Sequence, residues 1–175
     1  MVFETERLRL REMDRRDFRD LCEILQDKEV MYAYKHAFSD REVWEWLWKQ
    51  EKRYQEDGFG LWAMILKETG EMVGQCGLTM QDIGRSEPVL EIGYLLKKAH
   101  WRRGYATEAA RGCREYAFQT LGAGEVFSII RENNFPSQRV ALRNGMTLRG
   151  QFIKHYYGMD MPHFIYSVAQ NGQEM

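Results

Sequence analysis

No charge of either sign dominates this chain: 25 lysines and arginines stand against 26 aspartates and glutamates in 175 residues, a formal net charge of −1. A global field that would draw in nucleic acid or an anionic membrane surface is therefore lacking, and neither is expected as a partner. Long apolar runs are missing as well. No stretch reaches the roughly 18 apolar residues of a membrane helix, and residues 1–6 are charged within four positions and carry no apolar signal core. The expected location is the cytoplasm. Cysteine is sparse: Cys22, Cys76 and Cys113 are odd in number, widely spaced and set among apolar neighbours, which reads as reduced, buried thiols. They show no zinc-ligand spacing with His36, His100, His155 or His163, so no metal is expected. Repeats and linkers are also wanting. The length suits one domain, placed at residues 1–169, with a frayed tail at 170–175.

What is present is a succession of clear periods. Residues 5–12 alternate charged and apolar side chains (Arg7, Leu8, Arg9, Leu10, Arg11), the pattern of a half-buried strand. Asp14 suits the N-cap of a first helix bearing Phe18, Leu21, Cys22 and Leu25. Ser39, with Glu42 three positions on, makes a capping box for a second helix running to about Asp57. Large rings crowd this region, among them Tyr32, Tyr34, Phe38, Trp44, Trp46 and Trp48. Most read as packing between helices and sheet, while Tyr34 and His36 are candidate substrate-binding residues of an acceptor pocket. Residues 59–67 and 72–81 read as an antiparallel pair joined by a turn at 68–71. The G-x-G-x-x-A at 58–63 follows a helix and enters a strand, the reverse of a dinucleotide-binding turn, and is set aside. Val89–Leu96 and Glu125–Arg131 read as strands around a helix at about 107–121. Pro136 opens a last helix to about Arg143, Gly145 stops it, and strands at 147–154 and 163–169 complete the chain. This order predicts a mixed α/β, three-layer α-β-α domain.

One junction carries more chemistry than the rest. His100-Trp101-Arg102-Arg103-Gly104-Tyr105-Ala106-Thr107 leads from a strand into a helix, with two arginines beside a glycine. The first N–H groups of a helix lack internal partners and sit at the positive end of its dipole, where phosphates bind readily. Gly104 can take a positive φ and admits a ligand without a Cβ in the way. Alternatively, the junction is a tight loop with solvated arginines.

Arg102-Arg103-Gly104-Tyr105-Ala106, followed by Thr107-Glu108-Ala109, resembles the acetyl-CoA pyrophosphate loop of the GNAT family of N-acetyltransferases, whose usual pattern is Q/R-x-x-G-x-G/A. Trp101 stands at the first position, which departs from that pattern but resembles the branch of ribosomal-protein N-terminal (alanine/serine) acetyltransferases. Asn134-Phe135-Pro136-Ser137 resembles the family's N-x-x-S at the start of a helix, and Gly145-Met146 its closing pair. The resemblance implies the acyl-CoA N-acyltransferase fold, with a central, mostly antiparallel sheet. It also implies acetyl-CoA as cosubstrate, held by Leu95, Leu96, Arg102, Arg103, Gly104, Tyr105, Ala106, Thr107, Asn134 and Arg143. Asn134 would meet the pantetheine arm or simply cap its helix.

An amine must lose a proton before it attacks a thioester, because its reference pKa lies near 8 to 10.4. By resemblance, Glu91 in the strand before the loop is the candidate base, with Gly93 on the same face leaving room for substrate. A solvated or arginine-paired glutamate is the alternative. A backbone N–H near Leu95 or Leu96 would serve the oxyanion. The tyrosine acid common in the family is replaced by Ala141, which makes Ser137 the candidate proton donor to the leaving thiolate, with Tyr156 or Tyr157 as substitutes. The function implied is acetyl transfer to a primary amine by direct attack. A protein N-terminus, a small amine (polyamine, amino acid or antibiotic) and a CoA-binding regulatory domain without catalysis all stay open, and the protein is expected to be a monomer or homodimer. Asp82, Glu87 and Asp160 are scattered, and this lack of acidic clusters argues against a polycationic acceptor.

Overall fold

A computed structural model describes residues 1–34, 36–156 and 158–170, with the backbone alone at Tyr156. The chain opens as a short hairpin, β1 (Phe3–Glu4) and β2 (Leu8–Arg11). The single strand expected over residues 5–12 is thus shorter and preceded by another, because Thr5 turns the chain: its N–H donates to the Leu8 carbonyl at 2.9 Å. Asp14 caps a 3-10 turn, Arg15–Asp17, which leads into α1 (Phe18–Leu25). Helix α2 (Asp40–Glu56) begins at the expected Ser39 and Glu42 capping box.

Strands β3 (Leu61–Leu66), β4 (Met72–Gln81) and β5 (Val89–Leu96) form an antiparallel meander. Helix α3 (Tyr105–Gln119) then crosses over to β6 (Glu125–Arg131), α4 (Phe135–Arg143) follows, and β7 (Thr147–Tyr156) and β8 (Met159–Ala169) pair as a final hairpin. The eight strands lie in the order β1-β2-β3-β4-β5-β6-β8-β7, and β5 with β6 is the one parallel pair among the described residues. A parallel neighbour needs a long crossover, and α3 supplies it.

Side-chain alternation along β3 divides the core in two. Trp62, Met64 and Leu66 pack with α3 and α4 on one face, whereas Leu61 and Ala63 pack with α1 and α2 on the other. The result is the expected α-β-α sandwich. Trp62 is nearly sealed, with Phe3 edge-on at 5.8 Å and Tyr116 at 5.3 Å. Rings of this size buried so fully each stabilise the fold by about 3 kcal/mol or more on transfer and packing grounds. The expected aromatic packing is present in Phe18 stacked on Trp44 at 4.2 Å.

All three cysteines are free thiols. Cys76 and Cys113 are buried with their sulfurs 3.5 Å apart, but Cys22 is only half-buried, packed against the edge of the α1 and α2 cluster. At the carboxyl end the Gln170 N–H donates to the Gly124 carbonyl at 2.9 Å. The rest of the expected tail, 171–175, lies outside the described residues, as does Tyr157. Among the described residues no helix is long and apolar enough to cross a membrane.

Candidate active site

β5 leaves the sheet at Leu96 and reaches the arginine-rich bend through a 3-10 turn, Lys98–His100. Trp101 closes this connection: its indole N–H donates to the Leu96 carbonyl at 3.2 Å. Arg102 (φ +61°) and Gly104 (φ +80°) are both left-handed. Arg102 adopts that conformation at a cost of about 1 to 2 kcal/mol that a glycine does not incur. Arg102, Arg103 and Gly104 are all exposed. Helix α3 starts at Tyr105 rather than Thr107, because the Tyr105 side chain turns inward and anchors the first turn in the core. Tyr105 therefore offers a ligand at the bend only its backbone, and Ala106 packs half-buried against the same core.

The amino end of α3 is uncapped. Gly104 has no side chain to cap it, and the first intrahelical bond runs from the Glu108 N–H to the Gly104 carbonyl at 3.1 Å. The N–H groups of Tyr105, Ala106 and Thr107 precede that bond, so an anion at the bend meets unpaired donors and the positive end of the dipole. The geometry fits a diphosphate.

Arg7 holds the bend in this shape, and the sequence reading missed it. Its Nη1 donates to the Arg103 carbonyl at 2.9 Å, its Nε to Glu108 Oε2 at 2.6 Å, and its guanidinium lies over the Tyr105 ring at 4.6 Å. Glu108 Oε1 also accepts from Thr5 Oγ1 and from the Arg7 N–H. No local pattern announces contacts across about a hundred residues of chain. Arg143 lies apart from the acceptor side: exposed at the end of α4, it borders a separate groove along α3 with Gly104, Thr107 and Arg111.

Beyond the bend the sheet splits. β5 and β6 register at a single position, Glu91 opposite Phe127, after which Ser128 Oγ bridges to the Ile92 carbonyl at 3.1 Å. The Lys97 N–H donates to the Val73 carbonyl on β4. Antiparallel alternation then turns the Leu95 N–H toward β4 and the Leu96 N–H toward the split. Of the two backbone donors expected here, the register favours Leu96, while Leu95 contributes a side chain to the cleft.

A cavity of about 460 Å³ opens at the split, and Tyr34, His36, Glu91, Asn134 and Ser137 all line it. Residues up to 103 positions apart in sequence thus share one wall system. His36 Nε2 lies 2.7 Å from Glu42 Oε1, so the α2 capping residue also positions this ring. Gly93 faces open space, a Cβ there meeting only Leu61 at 3.8 Å. Glu91 projects beside it, half-buried in the cavity wall. Burial pushes its carboxyl up to about 7, while Lys154, the Ile129 N–H and Arg53 pull the other way. Such a group is a base suited to neutral pH.

At the other wall Asn134 caps α4, accepting from the Ser137 N–H at 3.3 Å, and accepts from Tyr32 Oη at 2.6 Å. Its NH₂ group keeps donor capacity, so capping and ligand binding are compatible here. Tyr94 was missed: its hydroxyl donates to the Ser137 carbonyl at 3.0 Å, and burial pushes its pKa up, keeping it a proton carrier. His163 was also missed. Its Nδ1 faces the Met161 carbonyl at 2.8 Å, which assigns the proton to Nδ1 and leaves Nε2 an acceptor, and burial lowers its pKa. Side-chain geometry at Tyr156 and Tyr157, the substitute proton donors, lies outside the described residues.

The family model for the acetyltransferase (GNAT) domain matches residues 7–147. The uncharacterized protein YkkB of Bacillus subtilis is 42% identical over 146 residues, 81% of this chain and 83% of that one. The uncharacterized N-acetyltransferase p20 of Bacillus licheniformis is 32% identical over 160 residues, covering 87% and 85%. The solved ribosomal-protein-S5-alanine acetyltransferase of Vibrio fischeri superposes with a TM-score of 0.76 over 100% of both chains at 16% identity, a likeness of fold. With the family model covering most of its length and a relative above 30% identity, the chain belongs to the GNAT family of acetyltransferases.

Proposed function

We propose that the protein moves the acetyl group of acetyl-CoA to a primary amine by direct attack. The supporting observation is that one strand joins the two parts of the site: β5 carries Glu91 in the wall of the cavity shared with Ser137 and, past its end at Leu96, leads into the bend at Gly104 that opens α3. Arg102, Arg103 and the N–H groups of Tyr105, Ala106 and Thr107 hold the diphosphate. Asn134 binds the pantetheine arm. The bound cosubstrate supplies the thioester that the amine attacks.

Glu91 takes the proton from the incoming ammonium, directly or through one water, because its carboxyl is half ionised near pH 7. The Leu96 N–H stabilises charge developing on the thioester oxygen. A C–N bond forms, the C–S bond breaks, and Ser137 delivers a proton to the departing thiolate. Holding amine and thioester together supplies further rate, several kcal/mol and about 7 to 11 in the best-oriented cases. A panel of peptides, amino acids, polyamines and aminoglycosides assayed for release of free CoA thiol tests the reading. Turnover of at least one amine is expected. Acetyl-CoA binding with no turnover of any amine leaves a CoA-binding regulatory domain instead.

A further inference from the structure

Within the acetyl-transfer reading, on which this step rests, we infer that the acceptor is a small amine carrying an anionic group, carboxylate or phosphate, a few bonds from its nitrogen. The charge around Glu91 points there. Lys49 and Arg53 reach the cavity from α2, Arg131 from β6 and Lys154 from β7, and Glu91 is the one carboxylate among the described residues of its lining. Four cations thus face one carboxyl that is itself half protonated near neutral pH. This contrasts with a whole-chain charge of −1.

Three of these cations, Lys49, Arg53 and Arg131, form no direct ion pair with an acid of the protein among the described residues, although Arg53 feels the charges of Glu91 and Asp57. Arg53 is half-buried and donates Nη1–H to a neutral partner, Gln50 Oε1, at 3.1 Å. Arg131 donates to the Tyr32 carbonyl at 3.2 Å. Desolvated guanidinium groups are ordinarily matched by an anion, and here the matching group must come from outside. Burial, with the neighbouring charges of Arg53 and Lys154, pulls the Lys49 ammonium down. Burial does the same to Arg53.

The arrangement serves chemistry as well as binding. An anionic group held by Arg53 and Lys49 brings its amine beside Glu91, which fixes orientation. The same cations lower the pKa of an ammonium placed among them, so that less basicity is asked of Glu91. A polycation meets repulsion instead. The cavity, about 460 Å³ and shared with the acetyl end of the cosubstrate, suits a small acceptor.

The test pairs each anionic amine with an uncharged counterpart: amino acids with their carboxamides, aminoalkyl phosphates with their alcohols, and spermidine as the polycation. The two arms separate carboxylate from phosphate. Initial rates of CoA thiol release at saturating acetyl-CoA should give kcat/KM about tenfold or more higher for the anionic member of the preferred pair. Arg53→Gln should erase most of that ratio, chiefly through KM, with acetyl-CoA affinity by calorimetry unchanged. Lys49→Gln, at the rim, serves if Arg53→Gln fails to fold. Equal or faster turnover of the uncharged amines, of spermidine or of long peptides overturns the inference and leaves acetyl transfer standing. If no amine turns over, calorimetric titration of the anionic amines into the CoA-saturated protein still reads the cation cluster, and absence of binding overturns the inference there too.

Discussion

The Gly104 bend and the acceptor cavity are built by opposite means. The donors of the bend are created locally, by backbone dihedrals of neighbouring residues and the first turn of α3, with Arg7 as a remote brace. The cavity is assembled from residues of α2, β5, β6, α4 and β7, drawn from segments more than a hundred residues apart in the chain. Donors made locally yield to a single backbone change and depend on the rest of the chain only through the brace. An assembled cavity tolerates backbone change poorly but can be retuned by one side chain at a time, which suits a family that acts on many acceptors.

The largest effect should come from Gly104→Val. A β-branched residue at φ +80° is strained, and its Cβ would press on Arg7 Nη2 at 3.3 Å. Acetyl-CoA affinity by calorimetry should fall about a hundredfold or more, since strain and lost donors together cost about 3 kcal/mol. A retained far-ultraviolet spectrum would locate the loss at the bend, and unchanged affinity would remove the bend from cosubstrate binding.

Glu91→Gln should come next and strike only the cavity. Turnover should drop by about 10² to 10⁴ with acetyl-CoA affinity intact. Wild-type kcat/KM should rise with pH to a plateau above about 7, where the carboxyl is ionised, and the variant should lose that inflection. Stability moves the other way. The folded pKa lies above the unfolded one, so stability is fully present below the ordinary carboxyl range and is lost as pH rises through about 7. At pH 8 to 9 the variant should unfold later than wild type, by up to about 3 kcal/mol and less where cleft water screens the charge. At pH 4 the two should coincide.

Arg7→Ala should give the smallest change. It removes contacts that shape the bend without itself needing to touch a ligand. An affinity loss of about tenfold is expected, with about 1 to 2 kcal/mol of stability lost, because Glu108 forfeits a partner. A loss as deep as that of Gly104→Val would mean that Arg7 contacts the cosubstrate directly.

Legibility in the sequence followed the same division. Ser39 with Glu42, Asn134 at its helix, and the bounds of β5 and β6 were readable because caps and short-range periodicity act over a few residues. Tyr34, His36, Glu91 and Ser137 were singled out, partly by resemblance, and the fold places them together. Arg7 was not readable, since its partners Arg103 and Glu108 lie on another element. Neither was His163, which reaches the cavity only because β8 pairs with β6 and β7. The start of α3 was misjudged because the inward turn of Tyr105 depends on a core that forms only in three dimensions.

Amino-acid order by itself determined most strands and helices, the caps at Ser39 and Asn134, and the glycine at the bend, each a matter of local backbone preference and side-chain period. Tertiary structure alone decided where β5 parts from β6, how far burial raises Glu91, and which cations surround it. Those properties arise from distances between remote segments, and electrostatic energies depend on such distances and on exclusion of water, neither of which is encoded in any short stretch of chain.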